Sequence, residues 1–146
     1  MAITSAICNS FKQEILEAEH NFTASTGNTF NLALYTSSAT LGAGTTAYTS
    51  SNEITNTSGT AYTAKGKALT SVTPVLSTDT AVCDFADVSW TSASFTANGC
   101  LIFNDSHSTD AAVCAVAFGG DKTVSSGTFT IQFPAAAATT AIIRIA

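Results

Sequence analysis

The sequence predicts a mainly β protein, an antiparallel β-sandwich or barrel of about seven strands with one N-terminal amphipathic α-helix. Three observations point there. Charged residues make up 10% of the 146 residues, against about a quarter in ordinary globular chains, while Thr, Ser and Ala supply close to half and apolar residues 45%. Short stretches of period-two alternation recur from residue 29 onward, each bounded by Gly, Asn, Asp, Ser or Pro. A 3.6-residue apolar period occurs once, near the N-terminus. The length suits one domain burying roughly two-thirds of its unfolded surface. Ample hydrophobicity with little charge is the reverse of a disordered composition.

Taken in order, residues 3 to about 18 read as the helix. Ile3, Ile7, Phe11 and Ile15 fall at i, i+4 steps, Cys8, Leu16 and Ala18 widen the stripe, and Thr4 or Ser5 can cap its start. Glu14, Glu17 and Glu19 crowd its C-terminal half, where carboxylates oppose the helix dipole. Such a helix depends on whatever packs against its stripe, either its own sheet or a neighbouring subunit. Gly27 and Asn28 turn the chain into a strand over 29–36, with Phe30, Leu32 and Leu34 on one face. Residues 37–67, rich in Ser, Thr, Gly and Ala, are too long for a plain connection. They read as an ordered loop anchored by Leu41, Tyr48, Ile54 and Tyr62.

Strands follow near 68–73, 85–91, 94–104, 111–118, 127–133 and 140–145. Turn signals separate them at Thr91-Ser92, Asn104-Asp105-Ser106-His107, Gly119-Gly120-Asp121 and Ser125-Ser126-Gly127. Pro74 and Pro134 sit where a missing N–H is tolerable. The partition is a helical arm over 1–28 and a β-sandwich over 29–146, together one globular unit.

The chemistry available is thin. A net charge of −5 with five cations argues against a nucleic-acid surface. No apolar run approaches the ~20 residues that span a bilayer, and no secretory signal follows Met1, so no membrane contact and folding in a cytosol are expected. Cys8, Cys83, Cys100 and Cys114 lack close metal-ligand spacing and read as buried free thiols, with a late disulfide or inter-subunit bridge as the alternative. His20 reads as a helix C-terminal residue. Ser106, His107 and Asp110 could be drawn as a triad, but no nucleophile-elbow context surrounds them, and a solvated turn is the plainer reading. The 104–110 turn offers cation ligands without EF-hand spacing, and Asp84 with Asp87 are too few for a metal or a glycosidase pair. Gly42-Ala43-Gly44 lacks the Lys of a phosphate loop. Asn21-Phe22-Thr23, Asn56-Thr57-Ser58 and Asn104-Asp105-Ser106 match the glycosylation pattern, coincidentally in an unsecreted chain. No catalytic residue, metal or cofactor is predicted. Phe30, Phe85, Trp90, Phe95, Phe103, Phe118, Phe129 and Phe133 are placed as core. Tyr35, Tyr48 and Tyr62, with a polar handle on a broad ring, are candidates for an interface or sugar-facing role, Tyr48 and Tyr62 as surface contacts.

Several segments are familiar together. They are Met1-Ala2-Ile3-Thr4-Ser5-Ala6-Ile7-Cys8-Asn9-Ser10-Phe11-Lys12, Gly27-Asn28-Thr29-Phe30-Asn31-Leu32-Ala33-Leu34-Tyr35-Thr36, Phe85-Ala86-Asp87-Val88-Ser89-Trp90, Gly127-Thr128-Phe129-Thr130-Ile131-Gln132-Phe133-Pro134 and Ala141-Ile142-Ile143-Arg144-Ile145. With them the chain resembles small virion structural proteins of tailed bacteriophages, including phages of aquatic bacteria and cyanobacteria. The resemblance implies a non-enzymatic particle component, most like a capsid decoration (cement) protein on the outside of an expanded head. Its partners would be the major capsid protein and further copies of itself, as in a trimer. It would assemble in the host cytoplasm and reside on the capsid surface. The stripe of Ile3, Ile7, Phe11 and Ile15 would then dock on the capsid or a sister subunit, unless it caps its own sandwich. A tail, collar or fibre-associated role is the alternative within virions. A carbohydrate-binding β-sandwich using Tyr48 or Tyr62 is the alternative outside them. Low charge suits the lead reading, because burying a large uncharged interface carries little desolvation cost.

Overall fold

A computed structural model describes residues 2–55 and 61–146. Eight strands and one helix follow in the order β1 (Ala6–Ile7), α1 (Asn9–Leu16), β2 (Phe30–Tyr35), β3 (Lys67–Ala68), β4 (Ser71–Ser77), β5 (Thr80–Phe85), β6 (Val88–Asn104), β7 (Ala111–Ile131) and β8 (Ile143–Ile145). They form two antiparallel sheets, β1-β7-β6-β2-β3 and β4-β5-β8. The arrangement is sandwich-like, and neither sheet closes into a barrel. The Asn56-Thr57-Ser58 pattern lies outside the described residues.

The centre is one long hairpin, β6–β7, turning at 105–110. The sequence divides this hairpin into four strands because three of its bulges carry turn chemistry. Between Ala97↔Lys122 and Gly99↔Ala117, β7 advances five residues (117 to 122) while β6 advances two (97 to 99). Gly119 and Gly120 absorb that excess at φ +75° and +144°, a region where a Cβ would be strained. Ser126 on β7 and Ser92 on β6 likewise take φ +48° and +51° at their register slips. A Gly-Gly or Ser-Ser pair signals positive φ, and both a turn and a bulge use it.

The inner half of the hairpin is covered on both faces. Phe30 pairs Asn104 while Asn31 pairs Phe103, so Phe30 and Phe103 point to opposite faces. Phe22 stacks on Phe30 at 4.3 Å and Phe85 lies at 6.0 Å from it. On the other face Tyr48 packs on Phe103 at 4.8 Å. Leu32, Ala33, Leu34, Tyr35, Leu101, Ile102 and Phe103 are accordingly all buried, and alternation disappears. The connection that follows β2, read from sequence as a loop, is thus the second covering layer.

The N-terminus departs from the predicted helix over 3–18. Helix α1 spans only Asn9–Leu16, and Ala18 closes it at φ +61°. Ile3 bridges Leu41, and Ala6 and Ile7 pair with Ala115 and Cys114 of β7. The apolar spacing from Ile3 to Ile15 is helical, but an unfilled sheet edge over 114–117 outbids local preference, since ladder bonds and core contacts exceed propensity differences. Gly99 makes room for this segment: a Cβ there would lie 2.8 Å from Ile3 Cδ1 and 2.6 Å from the Val116 carbonyl oxygen. Ile3, Cys8, Phe11 and Phe22 join the same core as Phe30 and Phe85, so residues 2–28 and the sandwich share one interior.

Candidate functional site

The predicted docking stripe is not a free helix face. Ile3 and Phe11 are buried, while Ile7 and Ile15 are half-buried and packed against the core. Ile3 and Ile7 belong to extended chain and Phe11 and Ile15 to α1, so the four no longer share one helical stripe. Their contacts are with the sandwich of their own chain.

The candidate tyrosines also turn inward, around Glu53. Between Glu19 and Lys65 this is the one charged residue, and it is 6% exposed. Tyr62 donates its hydroxyl to Glu53 Oε1 at 2.6 Å and accepts the Leu34 N–H at 2.9 Å. Tyr48 donates to Glu53 Oε2 at 2.5 Å, and the Lys65 N–H donates to Oε1 at 2.8 Å. Tyr62 and Tyr35 are fully buried, so they offer no surface contact, and Tyr48 is half-buried with its hydroxyl spoken for. Burial, then the Glu53 carboxylate, pushes the Tyr48 phenol up to about 12. Tyr62 and Tyr35 are raised further, burial again leading. A lone carboxylate in an otherwise uncharged stretch holding all three tyrosines of the chain was the sequence signal for this cluster. Composition alone hid it.

The residues of the 104–110 turn are engaged with one another and with neighbouring segments. Lys65 Nζ lies 2.9 Å from Asp105 Oδ1 and 2.8 Å from Asp110 Oδ2, over the rings of Tyr48 and Phe103. Asp110, then Asp105, raises the Lys65 ammonium above its ordinary value. The carboxylates proposed as cation ligands thus face an ammonium. His107 Nδ1 meets Thr109 Oγ1 at 3.0 Å, His107 Nε2 meets Glu19 Oε2 at 3.3 Å, and Ser106 Oγ accepts the Thr29 N–H. Ser106, His107 and Asp110 therefore form no relay. Asp84 and Asp87 accept the N–H groups of Phe85 and Phe133. Among the described residues no group of three His, Cys, Asp or Glu is placed to hold a metal.

All four cysteines are free thiols, three buried and Cys83 half-buried. Burial pushes Cys8 and Cys83 up to about 11 and Cys100 to about 12, with Cys114 higher still. Cys100 and Cys114 are diagonal neighbours across β6–β7 (Cys100↔Val116, Ile102↔Cys114). Diagonal positions lie about 7–8 Å apart, past the usual Cα reach of a disulfide.

Besides Leu16 at the end of α1, the structure leaves bare one end of the three-stranded sheet. Leu76, Ala81 and Ile145 lie in register across β4, β5 and β8. The same face continues inward through Cys83 and Ile143 to Phe85, where it meets the core. Ile143 and Phe85 are buried, whereas Leu76 is 74% and Ile145 56% exposed. The opposite face is lined by Val82 and Thr80, both buried. The segment after Phe133 lies over it: the Ala138 N–H donates to Ser77 Oγ, and the Arg144 guanidinium donates to the Ala138 carbonyl at 2.7 Å. That bond holds the one nearby cation away from the apolar row. Val72 and Val75 add exposed apolar surface along the β4 edge. Sequence reasoning missed this surface, because Leu76 and Ile145 are of the same residue types as the buried core.

Compared with known protein families, curated proteins and solved structures, the chain matches none. Among the described residues no helix is long and apolar enough to cross a membrane.

Proposed function

We propose that this chain is a non-enzymatic structural protein of a tailed-phage virion, a capsid decoration protein that packs against major capsid subunits. The observation that carries the packing role is the row Leu76–Ala81–Ile145 at the end of the three-stranded sheet, where Leu76 and Ile145 are exposed. Large apolar side chains left in water on a rigid sheet are available binding energy, roughly 1–2 kcal/mol for covering each of Leu76 and Ile145. The Arg144 guanidinium does not have to be desolvated with them, since it bonds to Ala138 on the far face. A shell displays its subunits in many copies, so a small contact repeated over the lattice suffices to brace it. The resemblance of the terminal and central segments to phage structural proteins supports the virion setting. The docking surface is thereby moved from the N-terminal stripe to the β4–β8 row. The carbohydrate alternative draws no support from Tyr48 or Tyr62, whose hydroxyls bind Glu53.

The test is co-sedimentation with capsids lacking the protein, for the parent chain and for Leu76→Asp and Ile145→Asp. The parent should pellet with capsids and both variants should stay in the supernatant with unchanged circular dichroism. Undiminished binding by both variants would overturn the role of this row. Hundreds of copies per purified virion would place the protein on the head, whereas six to eighteen or so would favour the tail.

A further inference from the structure

We propose that His20 is an acid-sensitive latch fastening the segment between α1 and β2 to the tip of the β6–β7 hairpin. The inference is independent of the virion reading and rests on a chain of fixed hydrogen-bond directions. Asn104 Oδ1 accepts the Ser106 N–H at 3.0 Å, which sets the orientation of the buried Asn104 amide. Its Nδ2 therefore donates, and it faces three groups: His20 Nδ1 at 3.1 Å, Asn28 Oδ1 at 3.2 Å and the Glu19 carbonyl at 3.3 Å. Asn28 Oδ1 is itself pinned as an acceptor by the Asn21 N–H at 2.7 Å. Turning the Asn104 amide over would set N–H against N–H at Ser106 and carbonyl against carbonyl at Glu19.

His20 Nδ1 consequently presents a lone pair, and the ring hydrogen sits on Nε2, directed at Glu14 Oε2 at 2.8 Å. The His20 side chain has no solvent exposure, its ring lying 4.9 Å from Phe11 and 6.3 Å from Phe30. A second proton can enter only at Nδ1, where it meets the Asn104 N–H. Imidazole changes its charge between about pH 5 and 8. The Glu14 carboxylate on α1 faces the ring at Nε2, and the Asn104 amide rejects a hydrogen added at Nδ1. The protonated ring keeps Glu14 and gives up its bond from Asn104, whose Nδ2 then has only Asn28 Oδ1 and the Glu19 carbonyl, so the tie between the hairpin tip and the 17–28 segment is weakened. The remaining charged groups at the tip and beside the ring are His107, Glu19 and Lys65. His107 at the tip stacks at 6.3 Å and adds like charge when protonated, while Glu19 pairs with His107. Lys65 is held by Asp105 and Asp110 on the tip's other side.

Nitrogen NMR of the full chain reads the tautomer, and amide hydrogen exchange of Ser106 reads the tip. At pH 7.5 His20 should show the Nε2–H tautomer. Between pH 7.5 and 5.0 the Ser106 protection factor, corrected for the intrinsic pH dependence of exchange, should fall about tenfold, the equivalent of one net hydrogen bond. His107→Gln should keep that fall and His20→Gln should lose it. An Nδ1–H tautomer at pH 7.5, a constant protection factor, or a fall abolished by His107→Gln and kept in His20→Gln would overturn the latch. The first two are measured on the unaltered chain, so they decide the matter even if His20→Gln does not fold.

Discussion

Ile143 and Ile145 lie two residues apart on β8, on one face of one sheet, with identical side chains. The first is 4% exposed and the second 56%. Their partners across β5 differ in the same direction. Cys83, beside Ile143, leads to the buried Phe85, whereas Ala81, beside Ile145, leads to Leu76. Phe22, Phe30 and Phe133 surround Phe85, and the layer they form ends before the last row of the sheet. An apolar side chain reports a tendency to be covered. Whether its own chain covers it depends on how far the opposing layer reaches.

The contrast should be widest in stability. Ile143→Ala should cost about 2–5 kcal/mol, read from the denaturant midpoint at unchanged slope, and a cost under 1 kcal/mol would erase the distinction. Base presses on the buried side next, through the tyrosines around Glu53. Their raised values mean the folded chain favours the neutral phenol. The stability this contributes is complete below the ordinary tyrosine value near 10. It is lost as pH climbs from there through about 12, the value for Tyr48. Tyrosinate absorbance should therefore rise together with loss of the near-ultraviolet circular dichroism. Full ionisation of all three phenols near pH 10 in a folded chain would show that they are not buried around Glu53.

Cys83 marks the border between the covered and bare rows. Its thiol, raised from 9.0 to about 11 by burial, carries roughly a hundredfold less thiolate than a free one at pH 8. Alkylation of the folded chain should be slow and should begin at Cys83, the half-buried one, before Cys8, Cys100 or Cys114. Mass mapping that found Cys114 modified first would contradict the packing of the hairpin. The smallest effect belongs to the bare row. Ile145→Ala and Leu76→Ala should leave the midpoint within about 0.5 kcal/mol of the parent, since neither side chain is packed.

Much of the fold was legible from local pattern. Phe30, Leu32 and Leu34 alternate as a strand must, and β2 is where they predict it. The turn at 105–110 announces itself in Asn104-Asp105-Ser106-His107. Legibility fails where one local signal serves two structures. Gly119-Gly120 specifies positive φ, and only pairing with β6 makes it a bulge within one 21-residue strand. Of the candidate contacts, Tyr62 and Phe11 carry side chains equally suited to an interface and a core. What puts them inside is Glu53 for the first and Phe22 with His20 for the second.

By itself the sequence determined a mainly β chain with one interior, poor in charge. Composition and period two act residue by residue and need no distant partner. The tertiary structure decided which helical-looking residues became a strand, which turn signals became bulges and which end of a sheet stayed bare. Each of those outcomes rests on contacts far apart in the chain, such as Ala6 with Ala115 or the Ala138 N–H with Ser77 Oγ. The energy of such a contact exists only once both segments are in place, and no local stretch contains it.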